Sequence, residues 1–244
     1  MRNTEKSRID LLLVSRGVVT TREKARALVM AGKVWIGNNR IDKPGVSIRV
    51  DSDIAISGSL PYVSRGGTKL AHALDSFGLN VDDSVFLDIG ASTGGFTDCL
   101  IKKGAKRVYA VDVGYGQLDF GLRNDPRVVV IERTNARYPF VLPEKIDGVT
   151  IDVSFISVTQ IIPAIFDHLG ALSWVLVLVK PQFEAGKKDV GKKGIIRDPI
   201  IHAQTIGKVI LWAISKGLRV LNLTPSPILG DKGNKEFFLL LSPS

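Results

Sequence analysis

Val85-Phe86-Leu87-Asp88-Ile89-Gly90-Ala91-Ser92-Thr93-Gly94-Gly95-Phe96-Thr97 is the stretch from which the fold of this chain is read. Apolar residues run up to Asp88, glycines follow at 90, 94 and 95, and the segment from Phe96 to Lys103 has helical spacing. A buried strand feeding a glycine turn and a helix N-terminus is how α/β proteins build a nucleotide pocket. The glycines let the backbone approach the ligand, and the unpaired N–H groups of the first helical turn face it. About twenty residues on, Val108-Tyr109-Ala110-Val111-Asp112 ends a second strand in a carboxylate. Such folds place there the acid that hydrogen-bonds ribose hydroxyls.

Three readings compete for the glycine turn. A dinucleotide site wants G-x-G-x-x-G, and Ser92 occupies the place of its second glycine, nearest the pyrophosphate. Gly90-Ala91-Ser92-Thr93-Gly94 also satisfies the hydrolase elbow G-x-S-x-G, with His168 and His202 available later in the chain. That elbow leaves Asp112 without a task. S-adenosylmethionine has a ribose but no phosphate, and it accounts for the glycine turn, the acidic strand end and a loop without Lys or Arg.

Composition bounds the remaining choices. The chain has 244 residues, room for one large or two unequal domains. Its 33 basic against 24 acidic residues give a net charge of +9, which favours an anionic partner such as nucleic acid or an anionic membrane face. The single cysteine, Cys99, excludes an internal disulfide and any Cys-rich metal site, and no Cys/His/Asp cluster has ligand spacing, so no metal is expected. The most apolar run, Trp174 to Val179, falls far short of the ~20 residues of a spanning helix. Leu11-Leu12-Leu13-Val14 is too short for a signal-peptide core. A cytoplasmic monomer with no membrane partner is expected.

Residues 1–57 read as a small separate module, 58–67 as a linker and 68–244 as a larger domain. In the module, Ile9, Leu12 and Leu13 repeat at helical spacing up to Gly17, and Ala25, Leu28 and Val29 form the apolar face of a second helix capped by Thr20 or Thr21. Short β-like runs follow, with a hairpin turn expected at Asn38-Asn39. Arg8, Arg16, Arg22, Lys24, Arg26, Lys33 and Arg40 decorate the helices and the hairpin. A charge-rich helical face is usually only a solvated surface, but this concentration of one sign favours phosphate binding. Arg8-Ile9-Asp10-x-x-Leu13, Ser15-Arg16-Gly17, Thr21-Arg22-x-x-Ala25 and the strand after Gly32-Lys33-Val34 resemble the S4 RNA-binding domain. That resemblance implies structured RNA docked across the two helices and the hairpin.

Beyond the linker a helix is predicted over 68–77. Strands then alternate with helices: strands at 84–89, 107–112, 127–131, 146–152, 173–179, 218–224 and 236–241, and helices near 95–103, 116–123, 158–169 and 198–216. Such alternation predicts an α/β Rossmann-like fold, a mostly parallel sheet covered on both faces. Four ionisable residues sit at element ends on the predicted ligand edge: Lys69 early in the first helix, Asp152 and Lys180 after apolar strands, and Glu236 before the last strand. Taken singly, each is more often a surface charge. Together, two amines and two carboxylates suggest a proton-handling cluster, in which a Lys ending so apolar a strand loses hydration and with it some preference for the charged form.

This set resembles the K-D-K-E tetrad of the FtsJ-like ribose 2′-O-methyltransferases. With the S4-like module and the run Tyr62-Val63-Ser64-Arg65-Gly66-Gly67-x-Lys69-Leu70, the chain looks like the TlyA family over nearly its whole length. The resemblance implies S-adenosylmethionine-dependent methylation of cytidine 2′-hydroxyls in ribosomal RNA, free or in ribosomal subunits; some members carry the label hemolysin. It puts Lys69, Asp152, Lys180 and Glu236 in the catalytic tetrad, and Asp88, Gly90, Ser92, Gly94, Gly95, Phe96 and Asp112 in the cofactor motifs. Lys180 would take the ribose proton, Lys69 would stabilise charge on oxygen, and the two carboxylates would orient the amines. Asn135, after the third strand, is the candidate for an amide contact to adenine. Arg65 and the basic loop carrying Lys187, Lys188, Lys192 and Lys193 complete the expected RNA contacts. Phe155 and Phe183 are candidates either for stacking on a flipped base or for core packing. The alternatives are a membrane-acting protein, a serine hydrolase, and an RNA-binding assembly factor with an inactive cofactor site.

Overall fold

The computed structural model describes residues 5–37, 39–56, 61–186, 189–191, 194–230 and 233–243. The chain divides into two compact units, Met1–Pro61 and Tyr62–Ser244.

In the first unit, β1 (Lys6–Arg8) leads into α1 (Ile9–Ser15) and α2 (Arg22–Met30), followed by β2 (Val34–Ile36), β3 (Asn39–Ile41), β4 (Ser47–Arg49) and β5 (Ile54–Ile56). Gly17 at φ +70 turns the chain after α1, and the Thr21 side chain caps α2 by accepting from the Lys24 N–H. β2 lies between β3 and β5, antiparallel to both, and β1 pairs antiparallel with β4. Ile9, Leu13, Ala25, Val29 and Val34 form the core. Asp10 is fully buried, between the Arg8 and Arg22 guanidinium groups at 3.0 Å each. The Arg8 hydrogen bonds, helped by Arg22 and opposed by burial, hold its carboxyl down at about 2.

The second unit is an α/β sandwich. Its elements are α3 (Arg65–Phe77), β6 (Val85–Ile89), α4 (Gly95–Lys102), β7 (Arg107–Val111), α5 (Phe120–Arg123), β8 (Val128–Ile131), β9 (Ile146–Ile151), β10 (Leu169–Val179), α6 (Pro181–Glu184), α7 (Pro199–Ser215), β11 (Leu218–Pro225) and β12 (Phe237–Pro243). Among the described residues, seven strands form one sheet in the order β11-β12-β10-β9-β6-β7-β8. β12 runs antiparallel to both its neighbours, and the other pairs are parallel. Every residue of β6 is buried, as a central parallel strand requires. Alternate residues serve opposite faces. Phe86, Val108, Leu176, Leu178 and Phe238 pack against Leu70 and Leu74 of α3 and Phe96 and Leu100 of α4. Leu87, Ile89, Val149, Ile151, Val175 and Val177 pack against Ile162, Ile165, Val209 and Ala213.

The strands form where the alternation predicts them, except that β10 starts earlier, at Leu169 rather than 173; α6 is an additional short helix, and three expected helical segments differ. α3 begins at Arg65 rather than Thr68, because the Ser64 side chain caps it by accepting from Gly66 N–H at 3.3 Å. The helix expected over 116–123 shrinks to α5, since Gly116 adopts φ +70. The helix expected over 158–169 consists of two 3-10 segments, Val158–Gln160 and Ile162–His168, the second with Pro163, which lacks an N–H, in its first turn. Strand order reverses at β6, with β7 and β8 on one side and β9 and β10 on the other. The carboxyl ends of β6, β7 and β9 therefore frame a crevice.

Candidate active site

Gly90 closes β6 at φ +82, where a Cβ would stand 2.3 Å from the Asp152 backbone oxygen. Only a residue without a side chain lets the ends of β6 and β9 approach this closely. Gly90→Ala is expected to destabilise the chain by about 3 kcal/mol or more in urea unfolding. Gly78→Ala makes the control: its φ is +64 but a Cβ there meets nothing within 4 Å, so it should cost only about 1 kcal/mol.

Above the turn, the Asp112 carboxylate accepts from Ser92 N–H at 2.8 Å and from Gly114 N–H at 2.7 Å. It ties the turns after β6 and β7 together, and each of its oxygens keeps a second lone pair for a ligand hydroxyl. Ser92 takes φ +49, an uncommon conformation for a side-chain-bearing residue. A cleft of about 540 Å³ opens here, lined by Gly90, Ser92, Asp112, Asn135, Asp152, Ser154 and Phe155 with apolar walls from Val111, Val113, Ala136, Val153 and Ile156. Apolar walls around a few converging polar groups suit a nucleoside-sized ligand.

Of the expected cofactor residues, Gly90, Ser92, Asp112 and Asn135 line this cleft, while Asp88, Gly94, Gly95 and Phe96 do not. Those four hold the neighbouring elements together instead. Gly94 caps α4 at φ +95, where a Cβ would strike Leu122 Cδ1 at 2.3 Å. A Cβ on Gly95 would lie 2.1 Å from Ser64 Oγ. Phe96 is buried beside Phe238, ring centroids 6.1 Å apart. The fully buried Asp88 accepts from Thr97 Oγ1 at 2.7 Å and Thr150 Oγ1 at 2.9 Å, clasping β6, α4 and β9. Asn135 Oδ1 accepts from Arg137 N–H at 3.1 Å, fixing the loop after β8.

Burial pushes the Asp88 carboxyl up to about 6, against the two threonine hydroxyls, which lower it. A raised value makes the folded state hold this proton more tightly. The resulting stability is fully present below about pH 4 and is lost as pH rises through about 6. Asp88→Asn should therefore remove about 2 kcal/mol of stability loss between pH 4.5 and 7.5, read as the difference between wild-type and variant urea curves at the two pH values.

The four tetrad candidates fall on one sheet edge. Asp152 follows β9 and Lys180 follows β10. The last pair of the β10–β12 ladder, Val179 and Phe237, sets Lys180 beside Glu236 one step further on. Lys180, 9% exposed, places Nζ 2.6 Å from Asp152 Oδ1 and donates to Ser154 Oγ at 3.0 Å. The Asp152 contact is close but off-axis, so Oδ1 is a buried oxygen without a hydrogen-bond partner among the described residues. Lys69 reaches from α3 to donate to Glu236 Oε2 at 2.6 Å. The tetrad thus resolves into two ion pairs, Lys180–Asp152 and Lys69–Glu236. Lys180 is therefore buried against a carboxylate rather than alone in an apolar surround.

Phe155 adopts φ +64 and is 90% exposed on the cleft wall, its ring 5.0 Å from that of Phe183. It is not a core residue. Glu184 of α6 accepts from Ser157 Oγ at 2.6 Å and Val158 N–H at 2.8 Å, pinning the 154–158 segment to the chain just past Lys180. Asn234 is buried, accepts from Ile196 N–H at 3.0 Å and donates to Gly194 O at 2.9 Å, joining the two loops beside Glu236. Ser154, Glu184 and Asn234 escape the sequence reading. Polar residues near loops carry no periodic signal, and the partners of Ser154 and Asn234 lie at least 26 residues away.

The expected RNA contacts divide. Arg8 and Arg22 are committed to Asp10, and Arg16 donates to the Ser52 carbonyl at 2.7 Å and to that of Val50. Lys24, Arg26, Lys33 and Arg40 are exposed on the first unit. Arg65 donates to Leu229 O at 3.2 Å. Lys187, Lys188, Lys192 and Lys193 lie outside the described residues, as does Asn38 of the expected hairpin turn. Among the described residues no His/Cys/Asp/Glu group is placed to hold a metal, and no helix is long and apolar enough to cross a membrane.

Comparison with known proteins places these features in a family. Residues 62–242 match the FtsJ-like methyltransferase model and residues 7–54 the S4 domain model. The "16S/23S rRNA (cytidine-2'-O)-methyltransferase TlyA" of Mycobacterium tuberculosis is 42% identical over 240 residues, covering 97% of this chain and 90% of that protein. YqxC of Bacillus subtilis, which carries an rRNA methyltransferase name, is 50% identical over 98% of this chain and 86% of its own length. A solved Streptococcus thermophilus structure named as a hemolysin superposes with TM-score 0.77 at 44% identity, over 99% of this chain and 90% of that one. With a cleft at the β6 switch point, two Lys–carboxylate pairs at one sheet edge and an S4 domain ahead of them, the chain belongs to the FtsJ-like methyltransferases, and within them to the TlyA family.

Proposed function

We propose that this protein methylates ribose 2′-hydroxyls, those of cytidines, in ribosomal RNA, with S-adenosylmethionine as donor. The observation that carries this reading is the buried Lys180 amine, in contact with Asp152 and Ser154 of the cleft wall. When bound, S-adenosylmethionine supplies a methyl group already activated by a sulfonium. The cleft fits it: Asp112 offers lone pairs to a ribose diol, and Val113, Ala136 and Ile156 offer apolar surface to a base. Ser92 and Gly90 hold the turn, and Asn135 shapes the wall where an adenine edge would lie.

Lys180 then accepts the 2′-hydroxyl proton, having first released its own, and Asp152 orients the amine. Lys69, paired with Glu236, stabilises negative charge developing on oxygen. Most of the acceleration comes from aligning two substrates in one crevice. Phe155, exposed beside that crevice, offers a face on which a base can stack. Lys24, Arg26, Lys33 and Arg40 supply phosphate contacts from the S4 domain, and Arg65 and the lysines at 187, 188, 192 and 193 supply them near the cleft.

The test maps alkali-resistant ribose marks in rRNA from cells with and without the gene. Marks that vanish on deletion and return with the wild-type chain support the reading; identical maps refute it.

A further inference from the structure

Lys180 does not itself line the cleft; the two side chains its amine touches, Asp152 and Ser154, do. A base in that position has a proton to dispose of twice. It must be neutral before it accepts the ribose proton, and it must shed that proton before the next turnover. Asp152 is a poor carrier, because protonating it would dissolve the ion pair that fixes the amine. Ser154 is placed differently. Its Oγ lies 3.0 Å from Lys180 Nζ, and the residue is exposed, so its hydroxyl bridges a 9% exposed amine and solvent. A hydroxyl accepts one hydrogen bond while donating another, so it passes a proton without carrying net charge.

The local fold builds this placement. Asp152 N–H donates to Ile89 O at 2.9 Å, fixing the end of β9, and the positive φ of Phe155 bends the chain immediately after Ser154. The bend sends the aromatic ring outward and leaves the Ser154 hydroxyl against the amine.

We infer that Ser154 is a positioning residue for Lys180, holding its amine at the cleft and relaying its proton to water. In the relay the Lys180 ammonium gives a proton to Ser154 Oγ as the Ser154 hydroxyl proton passes to a water in the cleft. The amine is left neutral, and the serine is regenerated unchanged. This inference rests on the base role proposed for Lys180.

The experiment compares the full-length wild-type chain with Ser154→Thr, Ser154→Val and Lys180→Met. Each is assayed for methyl transfer to rRNA isolated from cells lacking the gene, for S-adenosylmethionine affinity by calorimetry and for thermal unfolding. Thr and Val have nearly the same shape and differ by the hydroxyl. Ser154→Val should lower kcat at least about 10-fold with the cofactor Kd and the RNA KM within about twofold of wild type, and Ser154→Thr should stay within about threefold of the wild-type kcat. A Val variant as fast as wild type overturns the inference. So does a Thr variant as slow as Val, or cofactor affinity lost in both, which marks a role in packing alone. If Lys180→Met keeps full activity, the base assignment itself fails; if Lys180→Met is inactive while Ser154→Val is fully active, only the role of Ser154 fails.

Discussion

Lys180→Arg is expected to fold, to bind S-adenosylmethionine and to transfer methyl groups about 10³-fold more slowly than wild type, as is Lys180→Ala. The arginine is the informative replacement. It keeps a cation beside Asp152, whose Oδ1 lies 2.6 Å from the native Nζ, so the sheet edge retains its charge balance. What it lacks is a neutral form at accessible pH, since a guanidinium stays protonated. If positive charge near the reacting oxygen were the whole contribution of this position, arginine would restore most of the rate. Single-turnover methyl transfer, with cofactor affinity measured separately, decides between the two. An arginine variant within tenfold of wild type would remove Lys180 as the base.

Lys69→Ala is expected to destabilise the protein by about 3 kcal/mol. Glu236 is 3% exposed and Lys69 is its cation, at 2.6 Å. A Cβ on Gly230 would stand 1.9 Å from Glu236 Oε1, so the loop backbone closes over the carboxylate and leaves little room for water to replace the ammonium. Removing Lys69 strands a charge in a dry site. The double variant Lys69→Met/Glu236→Leu should recover most of the loss in urea unfolding, because apolar residues of similar size replace a buried pair at little cost. It should recover none of the activity. A single variant as stable as wild type would show that the pair is hydrated, and a double variant with activity would exclude both residues from the reaction.

The two pairs show where the sequence is legible and where it is not. Asp152, Lys180 and Glu236 stand out as charges at the ends of apolar strands and Lys69 as a charge early in a helix, because a strand interior is marked by its uninterrupted Val, Leu and Ile and its ends by the first polar residue. Which amine meets which carboxylate was not visible. Lys180 and Glu236 become neighbours only through antiparallel insertion of β12 beside β10, and Lys69 reaches Glu236 across 167 residues of chain. The glycine motif was legible as a motif but its roles were not. Gly90 and Ser92 face the cleft, while Asp88, Gly94, Gly95 and Phe96 hold neighbouring elements together. The basic residues of the S4 unit are likewise not uniform in role, since Arg8, Arg16 and Arg22 hold that unit together.

The order of the strands, the turn at Gly90, the acid at Asp112 and the S4-like module can all be read along the chain, since each is written in local periodicity, glycine placement or a short run of residues. The ion pairs of the tetrad candidates, the contact between Ser154 and Lys180, the burial of Asp88 and the clips made by Glu184 and Asn234 emerge from the folded arrangement alone. Those depend on strand order and on approaches of a few ångströms between segments far apart in the chain, and hydrophobic periodicity carries no record of which distant polar group a side chain will meet.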